Sequence, residues 1–287
     1  MSTPTTLTPK KKLRCITYLS PGVPIEWFES ILYYLEATLD CEGYIIHESR
    51  HSGPPPDRVD PFTTDDVDLG FMCSSGFIRL KEEGNKYISL CKAAPVHIHP
   101  NGQGKPVYFS DVVVRASERS KYVSFTDLKG HSFTYNGTDS LSGSLVVLKE
   151  LKKLGYNSNF FGNLIHSGSH IRSLQMILDK KVDTAAIDSN VLKSFLKEHP
   201  EYREKLAVLT SFGPMPIYPI VFNARMPVED QEKITAALLC MHKDPEWYSK
   251  MAENNVQQFV SIDESLYDME ADIKTLVKGL SISPAYY

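Results

Sequence analysis

Residues 181–189 read KVDTAAIDS, and residues 66–74 read DVDLGFMCS. Both place Val-Asp before four mostly small or apolar residues and close on serine. Both lead into a helical pattern, Val191 to Leu196 in one case and Gly76 to Leu80 in the other. A short apolar run that changes to a 3.6-residue period is what a strand feeding a helix looks like. Two such units, more than a hundred residues apart, predict an α/β chain with two lobes of similar build.

The flanking sequence fits this reading. Leu13 to Leu19 is strand-like and is broken by Pro21-Gly22. Trp27 to Leu39 reads as a helix with Phe28, Ile31, Leu32, Leu35 and Leu39 on one face, and Tyr44 to His47 as a second strand. Ser52-Gly53-Pro54-Pro55-Pro56 is a loop, because three prolines donate no ladder hydrogen bonds. Tyr108 to Arg115 (YFSDVVVR) and Pro219 to Ala224 (PIVFNA) are strand-like runs that bracket the middle of the chain. If the chain leaves one lobe by the first and returns by the second, residues 114–219 form an inserted lobe. Residues 13–113 plus 220–287 then form the other, after a flexible tail over 1–12. Helical patterns at Gln231 to Met241, Trp247 to Glu253 and Leu266 to Leu280 are expected to pack on the first lobe.

Composition excludes several classes of function. A formal charge of −4 over 287 residues offers no basic footprint for nucleic acid. No stretch approaches the roughly 18 uninterrupted apolar residues of a membrane span. Polar residues fill the first dozen positions, where a secretory signal would carry its apolar centre, so a cytoplasmic location is expected. Cys15, Cys41, Cys73, Cys91 and Cys240 are far apart and odd in number, which points to free thiols.

The stretch GTDSLSGS (137–144) precedes the helical run LVVLKELKKLG. A helix N-terminus presents unpaired N–H groups and the positive end of its dipole, and so attracts anions. Ser140 and Ser142 add hydroxyls, and Gly143 admits a close backbone approach. The plain alternative is an N-cap in a polar loop. Gly168-Ser169-His170 opens another amphipathic helix and places a histidine in its first turn. Ser74, Ser75 and Gly76 repeat the hydroxyl-before-helix theme in the other half of the chain. His97 and His99 sit two apart, would share one face of a strand, and are a weak candidate metal pair. There is no Walker loop, G-x-G-x-x-G or G-x-S-x-G elbow, so no nucleotide site or nucleophile stands out.

Taken in order, these segments resemble the phosphonate-binding proteins of bacterial ABC importers over about residues 13 to 260. FTDLKGHSFTYNGTDSLSG (125–143) is similar to that family's strand and hydroxyl-rich phosphonate loop. GSHIRSLQMILDKKVDTAAIDSNVL (168–192) resembles its Gly-His helix and following strand. PVYFSDVVVR (106–115) and PMPIYPIVF (214–222) resemble its outgoing and returning hinges. The resemblance implies a type II periplasmic-binding-protein-like fold, each lobe a mixed sheet flanked by helices, joined by two hinge strands. It also implies that Tyr108, Ser140, Ser142 and His170 hold the oxyanion, beside Gly143. Leu141 stands where the family has a threonine. The positions of the two acidic residues that bind an ammonium group fall on Asn190 and Tyr218, with Asp188 close by.

The expected function is therefore non-catalytic binding of a small oxyanion between two lobes, with no cofactor and with neither nucleic acid nor membrane as partner. A transport permease is not assumed, and a homodimer is left open. Two other readings stay open. One is an enzyme on the same scaffold, using His170 with Asp188, or His97 with His99, on a bound cofactor or small phosphorylated molecule. The other is an interaction module without ligand, suggested by Leu141, Asn190 and Tyr218.

Overall fold

The computed structural model describes residues 10–282; residues 1–9 of the expected tail lie outside the described residues. The chain opens with β1 (Lys11–Thr17), α1 (Ile25–Leu39), β2 (Cys41–His47), β3 (Leu69–Phe71), α2 (Ser74–Glu82), β4 (Ile88–Leu90) and β5 (Ala93–His97). Lys11 and Lys12, read as tail, already pair with Cys41 and Glu42. The chain then crosses to β6 (Val107–Arg115), β7 (Ser132–Tyr135), α3 (Val146–Lys153), β8 (Asn163–His166), α4 (His170–Leu178), β9 (Thr184–Asp188), α5 (Ser189–Glu198) and β10 (Leu206–Pro216). It returns through β11 (Ile220–Asn223), α6 (Val228–Cys240), α7 (Pro245–Glu253), β12 (Val256–Ser261) and α8 (Asp268–Leu276).

Two five-stranded sheets result, ordered β2-β1-β3-β11-β4 and β10-β6-β9-β7-β8, with β12 and β5 forming a separate pair. Reading the second sheet backwards gives the first. In one, β1 pairs in parallel with β2 and β3, and β11 runs antiparallel to β3. In the other, β7 pairs in parallel with β8 and β9, and β6 runs antiparallel to β9. The two halves of the sequence echo are β3 and β9, the middle strand of each sheet. The echo is a structural repeat because the same position, flanked on both sides, demands the same short apolar strand.

The expected division at residues 113 and 114 falls inside β6, which pairs with β10 from Val107 onward. Residues 107–113 thus belong to the second sheet, and the crossings lie at 98–106 and 217–219. The units meet closely: a Cβ on Gly22, in the turn after β1, would stand 3.2 Å from a Val191 methyl on α5. Glycine is what lets that turn approach the helix.

In α1 the expected apolar face is the buried one, with Trp27, Phe28, Ile31, Leu32 and Leu35 inward. The helices α6 and α7 lie against α1, as expected for the first unit. The third follows only at its start, where Tyr267 packs on Phe77 and Glu270 accepts from Ser75; α8 then lies against β10, α3 and the turn preceding α3, all in the second unit. Among the described residues no helix is long and apolar enough to cross a membrane.

Leu35 is fully buried in the main core. Leu35→Ala is expected to lower the unfolding free energy by about 2–5 kcal/mol in denaturant titration. A loss below about 1 kcal/mol would mean that α1 is not packed as described.

Candidate functional site

Because β7, β8 and β9 run parallel, their C-terminal ends share one edge of the second sheet. The segments that leave that edge are GTDSLSGS after β7, Ser167 to His170 after β8, and Asp188 to Asn190 after β9. Ligands of open α/β sheets bind outside the strands' carboxyl ends, where helix N-termini converge. Sheet order thus gathers residues that the sequence leaves up to 80 positions apart (Tyr108 and Asp188, for example, on adjacent strands).

Each segment is held by local bonds. Ser140 caps the turn over Leu141–Leu145 that precedes α3, its Oγ accepting the Gly143 N–H at 3.1 Å. Ser142 is buried, and its backbone carbonyl accepts the Ser110 hydroxyl at 2.6 Å. The Ser142 Oγ lies 3.1 Å from His170 Nε2. On the other side of the ring, His170 Nδ1 is buried without a hydrogen-bond partner. Burial pushes the His170 imidazole down to about 4, so the ring is neutral at pH 7. A neutral ring carries one N–H, and Ser142 with His170 therefore presents a mixed donor and acceptor surface.

Asp188 caps α5 through Oδ1, which accepts from the N–H groups of Asn190 at 2.8 Å and Val191 at 3.4 Å. Its Oδ2 accepts the Tyr218 hydroxyl at 2.6 Å, and Asn190 Nδ2 donates to that same hydroxyl at 3.2 Å. Burial pushes the Asp188 carboxyl up to about 6, against the opposing pull of Tyr218 and the backbone donors. The Tyr108 ring lies 5.1 Å from the Tyr218 ring, and its hydroxyl lies beside Ser142. Both phenols are held well above their ordinary value, first by burial and then by the Asp188 charge, so they stay protonated.

Tyr108, Ser142, His170, Asp188, Asn190 and Tyr218 are thus brought into one connected cluster, with Ser140 at its rim. Two expectations change. Leu141 is buried in the main apolar core, so its side chain packs where a hydroxyl was expected to face ligand. The space at Gly143 is taken by Asn136, whose Oδ1 would lie 1.8 Å from any added Cβ. Ser110 and Asn136 are not among the ligand residues expected from sequence. Ser110 lies two residues from Tyr108 and so shares its strand face, a signal that was readable.

The histidine pair separates. β5 ends at His97, which is buried with its ring 6.4 Å from that of Tyr218. His99, beyond the strand, stacks on Phe109 at 4.2 Å, with Nε2 3.5 Å from Asp111. Among the described residues no group of three or more His, Cys, Asp or Glu is placed to hold a metal ion. A groove of about 400 Å³, lined by Lys193, Lys197 and Arg203 of the second unit and by Pro24 and Asn254 of the first, includes none of the candidate ligand residues.

Residues 27–267 match the family model of the periplasmic substrate-binding protein of phosphonate ABC transporters. The chain belongs to this family. The match takes in every candidate ligand residue and ends at Tyr267, one residue before α8. No curated protein sequence matches the chain. Among solved structures, a binding protein component of a phosphonate ABC transporter from Pseudomonas aeruginosa superposes with a TM-score of 0.73 at 16% identity, over 92% of this chain and 86% of that one. PhnD1 from Prochlorococcus marinus, solved in complex with methylphosphonate, gives 0.72 at 17% identity, over 94% and 99%. A Xanthomonas citri protein bound to ATP gives 0.65 at 15% identity, over 93% and 97%. At such identities the structures share the fold of this family member: two lobes, each a mixed sheet flanked by helices, with a crossing in each direction.

The two titrating groups of the cluster act in opposite directions on stability. Asp188 is raised from 3.8 to about 6, so the native state holds its proton more tightly, and its contribution falls as pH rises through that window. His170 is lowered from 6.5 to about 4, so its contribution is lost as pH falls through that window. Asp188→Asn should therefore make the melting temperature climb more steeply between pH 4 and 6 than in the wild type. His170→Asn should flatten it. Circular dichroism melts at several pH values would show this, and three parallel curves would contradict the assignments.

Proposed function

We propose that the protein binds a small oxyanion, a phosphonate or phosphate, in the cleft between its two units and does not transform it. The observation that carries this reading is the Ser142 hydroxyl, fixed through its backbone by Ser110 and set against neutral His170 and protonated Tyr108. These are hydrogen-bonding groups without net charge, at the edge where three helices begin. A tetrahedral anion gains there from hydroxyls, ring N–H and helix dipoles together. Membership of the family, and the methylphosphonate held by the Prochlorococcus neighbour, support the same ligand class.

Ser142 and His170 also have the spacing of a nucleophile and base. A base works best with a pKa near the operating pH, and an imidazole held near 4 is a poor proton acceptor at neutrality. His170 and Asp188 bond to different partners, so they form no acid–base pair. These points favour holding over turnover. The lone pairs of Asp188 are already used by Tyr218 and two backbone N–H groups, which leaves little for an ammonium. Methylphosphonate and phosphate are therefore the preferred ligands, ahead of aminoalkylphosphonates.

The five cysteines are free, with Cys15 and Cys91 fully enclosed, which suits a reducing compartment. A cytoplasmic location belongs to this proposal, whereas the family is described from the periplasm. We include no permease in it.

Isothermal titration with methylphosphonate, phosphate and aminoethylphosphonate tests the site. Ser142→Ala should weaken methylphosphonate binding by about ten-fold or more, the equivalent of one charge-assisted hydrogen bond. Wild-type protein that binds none of the three, or a Ser142→Ala variant with unchanged affinity, would remove the basis for the proposal.

A further inference from the structure

α2 follows the middle strand of the first sheet as α5 follows that of the second. The N-terminus of α5 is capped by its own Asp188, but Cys73 at the start of α2 makes no side-chain cap. A carboxylate from the far end of the chain meets the first turn of α2 through a side chain. Ser75, in the first turn of α2, donates its hydroxyl to Glu270 Oε1 at 2.6 Å, across 195 residues of sequence.

Glu270 is fully buried. Its Oε1 also receives the Lys274 ammonium at 2.9 Å, whereas its Oε2 is buried with no hydrogen-bond partner. A carboxylate enclosed with one oxygen unsatisfied is costly, and the N-terminal end of a helix lowers that cost. The Glu270 charge bears on both Tyr108 and Cys73, so it lies where the candidate ligand site of the second unit meets the first.

α8 is built to bring it there. Tyr267, just before the helix, is buried in the first unit with its ring 5.5 Å from that of Phe77. From that anchor α8 passes onto α3, β10 and the turn of Leu141–Leu145, and Lys152 of α3 donates to the Leu276 carbonyl at 2.8 Å. The helix therefore straps the two units together. It begins one residue after the match to the family model ends.

We propose that Glu270 is a built-in competitor for the oxyanion: its carboxylate occupies the anion position at the N-terminus of α2, and an incoming phosphonate or phosphate has to displace it and loosen α8 from the second unit. The proposal rests on the oxyanion-binding reading above. α8 lies against the turn of Leu141–Leu145, and a dianion there and a buried carboxylate repel each other, so the two compete for the seam. Ligand affinity is thereby set by the strap as well as by the ligand's own contacts.

Calorimetry of wild type and Glu270→Gln with methylphosphonate provides the test, because glutamine keeps the shape and an acceptor for Ser75 but removes the charge. Hydrogen–deuterium exchange of α8 in the wild type, with and without methylphosphonate, gives a readout that needs no variant to fold. Glu270→Gln should bind about ten-fold tighter or more, and the α8 amides of the wild type should exchange faster with ligand present. Binding by the variant alone, with none by the wild type, would be the strongest form of the same result. Equal or weaker binding by the variant, with α8 exchange unchanged or slowed, overturns the competitor and leaves oxyanion binding standing. No binding by either protein overturns both.

Discussion

A buried carboxylate has to be supplied with hydrogen bonds, and the way Asp188 is supplied organises the middle of this molecule. It ends β9 and caps α5, which fixes the direction in which that helix leaves the sheet. Its second oxygen takes the Tyr218 hydroxyl from the returning crossing, so the second unit is tied to the segment that leads back to the first. Tyr218 in turn packs on Tyr108 of β6, and Tyr108 stands beside Ser142. One desolvated acid thus sets the position of Tyr218 in the crossing and, through its ring contact, of Tyr108 on β6, and with them one wall of the cleft. An unmet bond at this point would leave a buried charge unpaired, which is among the most costly defects a core can hold.

Much of this arrangement is legible in the sequence, for identifiable reasons. The echo of DVDLGFMCS and KVDTAAIDS is visible because the central strand of a covered sheet must be short and apolar, and that requirement applies twice. The hydroxyls and the histidine at the helix starts are visible because capping and anion binding draw on the same few residue types. What stays hidden is which residues meet. Ser110 supports Ser142 from a neighbouring strand, and Asn136 fills the space over Gly143; both contacts arise from tertiary approach, which leaves no local pattern. The same holds for α8. Its periodicity marks an apolar face but does not say which unit receives that face, and so a helix expected on the first unit spans both.

The polar cluster also shows how one set of residues suits a binding role. Tyr108 and Tyr218 are kept protonated and His170 is kept neutral, so these groups beside Ser142 are donors and acceptors without formal charge, and Asp188 is covered by Tyr218 and its own helix. On the proposed reading such a surface would hold an anion by direction and not by bulk charge, and so discriminate by shape among tetrahedral and planar oxyanions. Across from it Glu270, buried between Ser75 of α2 and Lys274 of its own helix, supplies a carboxylate of the protein's own.

The central claim is that an oxyanion settles against Ser142, Tyr108 and His170. NMR of histidine-labelled protein reads this at His170 itself, as the pH titration of its ring with and without methylphosphonate. A dianion beside the ring favours the imidazolium, so the titration of His170 should move up from about 4 by about one unit or more when ligand is present. A titration curve that saturating methylphosphonate leaves where it was would contradict the claim.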